Sequence, residues 1–448
     1  MTALRLARVA RGWSQARVIY ELQRHAAGVG VAVAGPQSLK TQLSRWENGH
    51  RLPDAHYRQL FRTIYGRSDE ELGFTAGINS AVPSAGLQFA DTWSDGVGSA
   101  IELWQGDMDR RDFLRNSTFA VAAFQSPVLR WLVTDADESP RHESGPRNIG
   151  QPQVESIRAM TATFRGLDNQ YGGGHIRESV VRYLAGEVAP MLRDGRYTAS
   201  VGAALFAAAA ELTRLVGWMS YDIGQYGLSQ RYLIQALRLA KAAGDRALGA
   251  EILAAMSHQA TYLGEGADAV DLAQASGRTA SSVGVRALVA EAAVAEAHGQ
   301  AQRGEERACA GALARAESAL DHADRSDDPQ WISYFDEAYL SAKFGHCFRE
   351  LGQGKQAQRF AQRSLDMDGR YVRGRAFNLS LLASSLAQQG EIEQACAVGG
   401  EAVALTRSLS SARAVRYVSG LVDQLQPYAG RPDVRRLAVE AQPLISGV

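Results

Sequence analysis

Four side chains with chemistry to offer recur at near-regular intervals: Trp218, His258, His298 and His346 stand 40, 40 and 48 residues apart. Seven residues before them come Glu211, Glu251, Glu291 and Tyr339, and three and four residues after them Tyr221/Asp222, Thr261/Tyr262, Ala301/Gln302 and Arg349/Glu350. If the elements that carry these residues stack side by side, Trp218, Tyr221, His258, Tyr262, His298, His346 and Arg349 line a common groove. Packed helices lie ~8–10 Å apart. That is too far for imidazoles alone to share a metal along the row, so no metal is expected. A line of aromatic, imidazole and carboxylate groups suits an elongated polar ligand such as a peptide. The alternative is that the row is partly buried and makes hydrogen bonds between neighbouring units.

Catalytic chemistry finds no comparable pattern. The chain contains no H-E-x-x-H, G-x-S-x-G, paired-cysteine or nucleotide-binding sequence, so neither catalytic residues nor a cofactor is expected. The run Gly172–Gly174 lacks the preceding strand and the Lys/Ser or spaced-glycine pattern of a phosphate cradle. It reads as a corner between helices, with Asp168, Tyr171 and His175 as the nearby groups able to touch a ligand. Cys309, Cys347 and Cys396 are odd in number and far apart, which fits a reduced cytoplasm and no disulfide framework.

The elements that must position these groups are helices. The chain is rich in Ala, Arg and Leu, and period-2 runs of β-branched residues are nearly absent, so an all-α fold is expected. No apolar run approaches the ~20 residues of a membrane span, and MTALRLARVARGW lacks the apolar stretch of a secretion signal, so the expected location is the cytoplasm. The 48 basic and 48 acidic residues cancel over the whole chain. Locally they do not: residues 1–75 hold eleven Lys/Arg against six Asp/Glu, and the remainder is acidic by the same margin of five. A basic head on an acidic body directs any nucleic-acid reading to the head.

Within residues 205–405 a skeleton of small residues repeats. Gly217, Ser257, Ala297, Gly345 and Ala383 each precede by seven residues a glycine, at 224, 264, 304, 352 and 390. Ser229, Ala269, Cys309, Ala357 and Ala395 follow those glycines by five. The pattern resembles tetratricopeptide repeats, in which small residues let paired antiparallel helices approach. The resemblance implies a superhelix whose concave face is lined by the first helix of each repeat. Extra length falls in turns, notably around ADRSDDPQW; segment 179–207 reads as a degenerate first unit and AVRYVSGLVDQL as a capping helix.

In the head, LRLARVAR predicts a first helix stopped by Gly12, Ser14 caps a second (QARVIYELQRHA), a third runs from about Ser38 through Trp46, and HYRQLFRTIYG is a fourth. ARGWSQ followed by LSRWENGHRLPD resembles the Cro/C1-type (XRE) helix-turn-helix of transcriptional regulators. The resemblance implies a structural pairing of Arg8 with Glu47 and places the third helix in the DNA major groove. Lys40, Thr41, Gln42, Ser44 and Arg45 then face bases, while Gln15, Arg17, Ser38, Asn48 and Arg51 contact phosphates. One departure is RHAAGVGVAVAGPQS between the second and third helices: either helix two is longer or a loop protrudes. The expected organisation is a helix-turn-helix domain at 1–75, a linker and helical connection at 76–178, and a repeat domain at 179–448. That layout is similar to bacterial, above all actinobacterial, regulators. It implies a homodimer on two-fold operator DNA, with a peptide or small-molecule effector in the repeats. The alternative is a repeat-type protein-interaction adaptor in which the head plays a secondary role.

Overall fold

The computed structural model describes residues 3–28, 33–47, 53, 55–67, 72, 86–109, 117–134, 137–326 and 328–447. They belong to two compact units, Met1–Ser84 and Ala85–Val448. Among the described residues both are all-α apart from one short sheet in the second.

The first unit contains α1 (Ala3–Ala10), α2 (Gln15–Gly28), α3 (Pro36–Glu47) and α4 (Ala55–Tyr65). Each helix buries one stripe. Leu4 and Ala7, then Val18, Ile19, Leu22 and Ala26, then Leu39, Leu43 and Trp46, then Tyr57, Leu60, Phe61 and Tyr65 meet in a shared core. Those spacings are the three- and four-residue steps of an amphipathic helix. Gly12 ends α1 at a φ of +66°, a left-handed conformation that glycine adopts without Cβ strain. The extra length between α2 and α3 is taken up in part by α2, which runs on to Gly28. On the far side of the insertion the Ala34 amide donates to the Tyr57 hydroxyl at 3.0 Å. Arg11 reaches the last carbonyls of α4, at Ile64 (2.7 Å) and Tyr65 (2.5 Å), where a cation also complements the helix dipole.

The second unit opens with α5 (Trp93–Asp109), α6 (Gln125–Val133), α7 (Gln151–Tyr171), α8 (Gly173–Tyr183) and α9 (Ala189–Asp194). Stacked helix pairs follow: α10 (Ala199–Asp222) with α11 (Tyr226–Ala243), α12 (Arg246–Tyr262) with α13 (Gly266–Val283), and α14 (Arg286–Gln302) with α15 (Glu306–Asp321). Then come α16 (Glu337–Glu350) with α17 (Gly354–Arg363), α18 (Val372–Gln388) with α19 (Ile392–Thr406), and α20 (Ala412–Leu425) with α21 (Pro432–Ile445). The repeat glycines do what their spacing implied. Gly224, Gly264, Gly304, Gly352 and Gly390 all turn the chain at φ between 71° and 92°. The small positions seven residues earlier allow the paired helices to close up. A Cβ on Gly345 would stand 3.3 Å from the Ala361 amide nitrogen of its paired helix, and the Ser257 hydroxyl donates to the Ala269 carbonyl at 2.7 Å.

Three segments differ from their sequence reading. Residues 179–207 form no repeat-like hairpin: α8 passes through a π-turn at Leu184–Val188 into α9, and the chain then extends as a two-residue strand, Gly195–Arg196. That strand pairs in parallel with Arg147–Asn148. The polar, turn-rich stretch DADESPRHESGPRNIGQPQ, whose composition reads as a linker within the connecting region, is thereby pinned to the body, helped by Asp137, which accepts from Arg238 at 2.6 Å. AVRYVSGLVDQL is not a terminal cap but the first helix of a further pair. By length and composition α10 could cross a membrane, yet 61% of its apolar stretch is buried inside the unit. Packed against α7, α8 and α11, it is the core helix of the first repeat.

Candidate functional site

In the first unit the expected Arg8–Glu47 pair is formed twice over, Nε to Oε1 at 2.5 Å and Nη2 to Oε2 at 3.0 Å. Glu47 is 2% exposed and Arg8 14%, so the pair ties α1 to the end of α3 out of reach of most solvent. Gln15 joins it, its side-chain nitrogen donating to Glu47 Oε2 at 2.9 Å. The N-termini of α2 and the C-terminus of α3 are thereby locked together. Burial of Leu39, Leu43 and Trp46 fixes how α3 is rotated. That rotation leaves Ser38 and Lys40 exposed and Gln42 and Ser44 half-buried. Arg17 is exposed and pairs with Glu21 at 2.5 Å. Thr41 and Arg45 are positions of α3 whose side chains lie outside the described residues, and Asn48 and Arg51 lie outside them altogether.

In the second unit a helix from outside the repeats bridges the first helices of two of them. Helix α7 packs against both α10 and α18, joining the first repeat to the fifth. A buried knot of charge makes the seam. Arg373 on α18 forks onto Asp168 of α7, at 2.6 and 2.8 Å, and also reaches Asp222 of α10 at 3.2 Å. Asp222 accepts as well from the Ser411 hydroxyl (2.9 Å) and the Gly173 amide (3.0 Å). The glycine run is the corner that permits this approach. Ser410 donates its amide to the Tyr171 carbonyl at 2.7 Å and accepts from the Gly174 amide at 2.9 Å. A Cβ on Gly172 or Gly173 would stand 2.8 Å from Ser410 O or 2.7 Å from Met219 O.

Behind the seam lies a cavity of about 190 Å³. One wall is acidic: Glu251 accepts from Arg214 at 2.5 Å and from the Tyr334 hydroxyl at 2.9 Å, and Glu291 lies 2.5 Å from the same hydroxyl. Burial, reinforced by the neighbouring Glu251, pushes the Glu291 carboxyl well above its ordinary range. The opposite chemistry is supplied by Lys343, whose Nζ is 2.9 Å from His258 Nδ1 and lies over the Tyr339 ring. Burial lowers this amine to about 7. Arg413 completes the basic part, its guanidinium stacked on Tyr221 and Phe377 at 4.3 and 4.7 Å. Burial also pushes His258 and His346 well below the usual imidazole value and His298 down to about 3. All three rings are therefore neutral at pH 7.

The groove residues expected from the sequence divide accordingly. Trp218, His258 and His346 line the cavity, and His298 lines a small side lobe next to it. Tyr221 and Tyr262 instead pack around Arg413. Arg349 turns to Glu350 and lines neither space. Glu251, Glu291 and Tyr339, noted only for standing seven residues earlier, are wall residues. Sequence reasoning missed Lys343, Arg373, Arg413 and Tyr334. Lys343 had one usable signal: it is among only four lysines in an arginine-rich chain, and it sits on the first helix of a repeat. The chain matches no protein-family model and no curated protein.

Proposed function

We propose that the protein is a sequence-specific DNA-binding transcriptional regulator in which the first unit reads duplex DNA and the second senses a small molecule and pairs two copies of the chain. The observation that carries the reading is the Arg8–Glu47–Gln15 lock with α3 set beside it. This is the arrangement a helix-turn-helix needs to present one rigid helix with exposed polar residues to the major groove. Lys40 and Arg45 are the proposed donors to guanine, Thr41 the contact to a thymine methyl, and Gln42 and Ser44 their neighbours. Arg17, Ser38, Asn48 and Arg51 are proposed to contact phosphates. Gln15 acts chiefly by holding Glu47. The compact cavity, ringed by α7 and by the first helices of the repeats, suits a small molecule better than an extended peptide as effector. No metal or cofactor is required by this reading.

The test is selection of bound fragments from a random duplex pool by the full-length protein, followed by sequencing. A shared two-fold sequence is expected, and its enrichment should vanish when Lys40→Ala and Arg45→Ala are combined. An unenriched pool, or one enriched equally by the double variant, refutes the assignment.

A further inference from the structure

Three of the four arginines that line the cavity are closely ion-paired. Arg165 is paired with Glu211, Arg214 with Glu251, and Arg373 with Asp168 and Asp222. Lys343 forms no ion pair among the described residues; its partners are an imidazole and an aromatic ring. Arg413 is second in this respect. Its side chain is only 4% exposed and its Nη1 is no closer than 3.8 Å to Asp222, and neither Nε nor Nη1 has a hydrogen-bond partner among the described residues. A buried donor left unpaired costs about 1–3 kcal/mol, so two on one guanidinium at a cavity wall point to a group that binds there. His258 lies between the two cations, 2.9 Å from Lys343 and 3.5 Å from Arg413. Being neutral, it can accept a hydrogen bond from Lys343 but supplies no negative charge. Trp218, Phe377 and Tyr417 add half-buried aromatic surface to the same walls. On the acidic wall, Glu251 Oε2 and Glu291 Oε2 are buried without a hydrogen-bond partner among the described residues.

From this arrangement we infer that the cavity binds a small aromatic carboxylate, its anion beside Lys343 and Arg413, its ring against Trp218 and Phe377, and any hydroxyl directed to Glu251 and Glu291. An anion beside Lys343 favours its protonated form and supplies an acceptor for the N–H groups of Arg413 that have none among the described residues. The inference rests on the sensing half of the proposed function and names the class of effector.

Three probes with one ring and different charge test it: indole-3-acetate, tryptamine and 3-methylindole, titrated into the full chain by calorimetry. Indole-3-acetate should bind about tenfold or more tightly than 3-methylindole, as expected for a charge-assisted hydrogen bond, and tryptamine should bind weakest. Lys343→Met, checked as folded by far-ultraviolet circular dichroism, should abolish the preference for the anion while leaving 3-methylindole unaffected. Lys343→Arg should keep part of it. A cavity that prefers tryptamine or 3-methylindole overturns the inference, as does an anion preference that survives Lys343→Met or the absence of binding by all three at millimolar concentration. The outcome is separable from the DNA reading. Lost anion binding with intact duplex selection refutes only the ligand class, and lost duplex selection with intact anion binding refutes only the regulator.

Discussion

Lys343 and the three histidines are costly residues to bury, and the cost makes them testable one at a time. In the unfolded chain a lysine titrates near 10.4 and in the fold Lys343 titrates at about 7. Between those values the unfolded chain holds the extra proton, so stability rises with pH over that window and the full penalty is present below it. Lys343→Met should therefore stabilise the protein at pH 7, by about 1–2 kcal/mol in urea unfolding, as when a functional group is traded for packing. A destabilised variant would make the amine a structural group. His298 has the same sign at lower pH. Its imidazole titrates at about 3 in the fold and near 6.5 unfolded, so stability is intact above 6.5 and falls as pH drops below it. His298→Asn should lose about 1 kcal/mol less than the parent chain between pH 7 and 5, the half-buried ring tempering a larger value. At this scale the sequence spoke through periodicity alone. His258 and His346 stand on a repeating spacing and were found. Lys343 and Arg413 stand on none: at Lys343's place the neighbouring repeats carry Ala255 and Ala295. Tyr334 came from an insertion that read as a turn, although Trp331, Ile332 and Phe335 beside it are buried.

At the scale of elements, the repeats were legible because glycine and small residues are demanded by backbone geometry wherever two helices pair and turn. What closes them was not legible, because nothing local records that residues 205 positions apart, Asp168 and Arg373, will meet. The buried pair gives a sharp prediction. Arg373→Leu alone leaves Asp168 and Asp222 short of a countercharge and should cost about 3–5 kcal/mol. Asp168→Leu combined with Arg373→Leu should recover a substantial part of that loss in a double-mutant cycle. Additivity of the two would show that the pair does not hold α7 to α18. The glycine corner is a second handle on the same seam. Gly173→Ala places a Cβ 2.7 Å from the Met219 carbonyl and should destabilise by about 1–3 kcal/mol. Gly186→Ala, where nothing lies within 4 Å, should be close to neutral in the same unfolding measurement. The polar stretch ahead of α7 was misjudged for a related reason. Its composition is that of a linker, and its order comes from Arg196, Tyr197 and Arg238 on distant segments.

For the whole molecule, the neutral total hides a basic head and an acidic body, and the proposed division of labour follows that split. The head's core and its Arg8–Glu47 pair were readable because the amphipathic stripes are strong and the W-E-N-G segment fixes the register. The length of α2 was not, since a Gly/Val/Ala run carries no periodicity to choose between helix and loop. A duplex-binding head predicts counterion release, whereas an adaptor with a secondary head does not. The direct measurement is the equilibrium affinity of the full chain for its selected duplex, by fluorescence anisotropy, across a series of salt concentrations. The regulator reading predicts that the logarithm of the binding constant falls linearly with the logarithm of salt, and that Lys40→Ala with Arg45→Ala both weakens binding and flattens the slope. Affinity independent of salt, or a slope unchanged in the double variant, would contradict it.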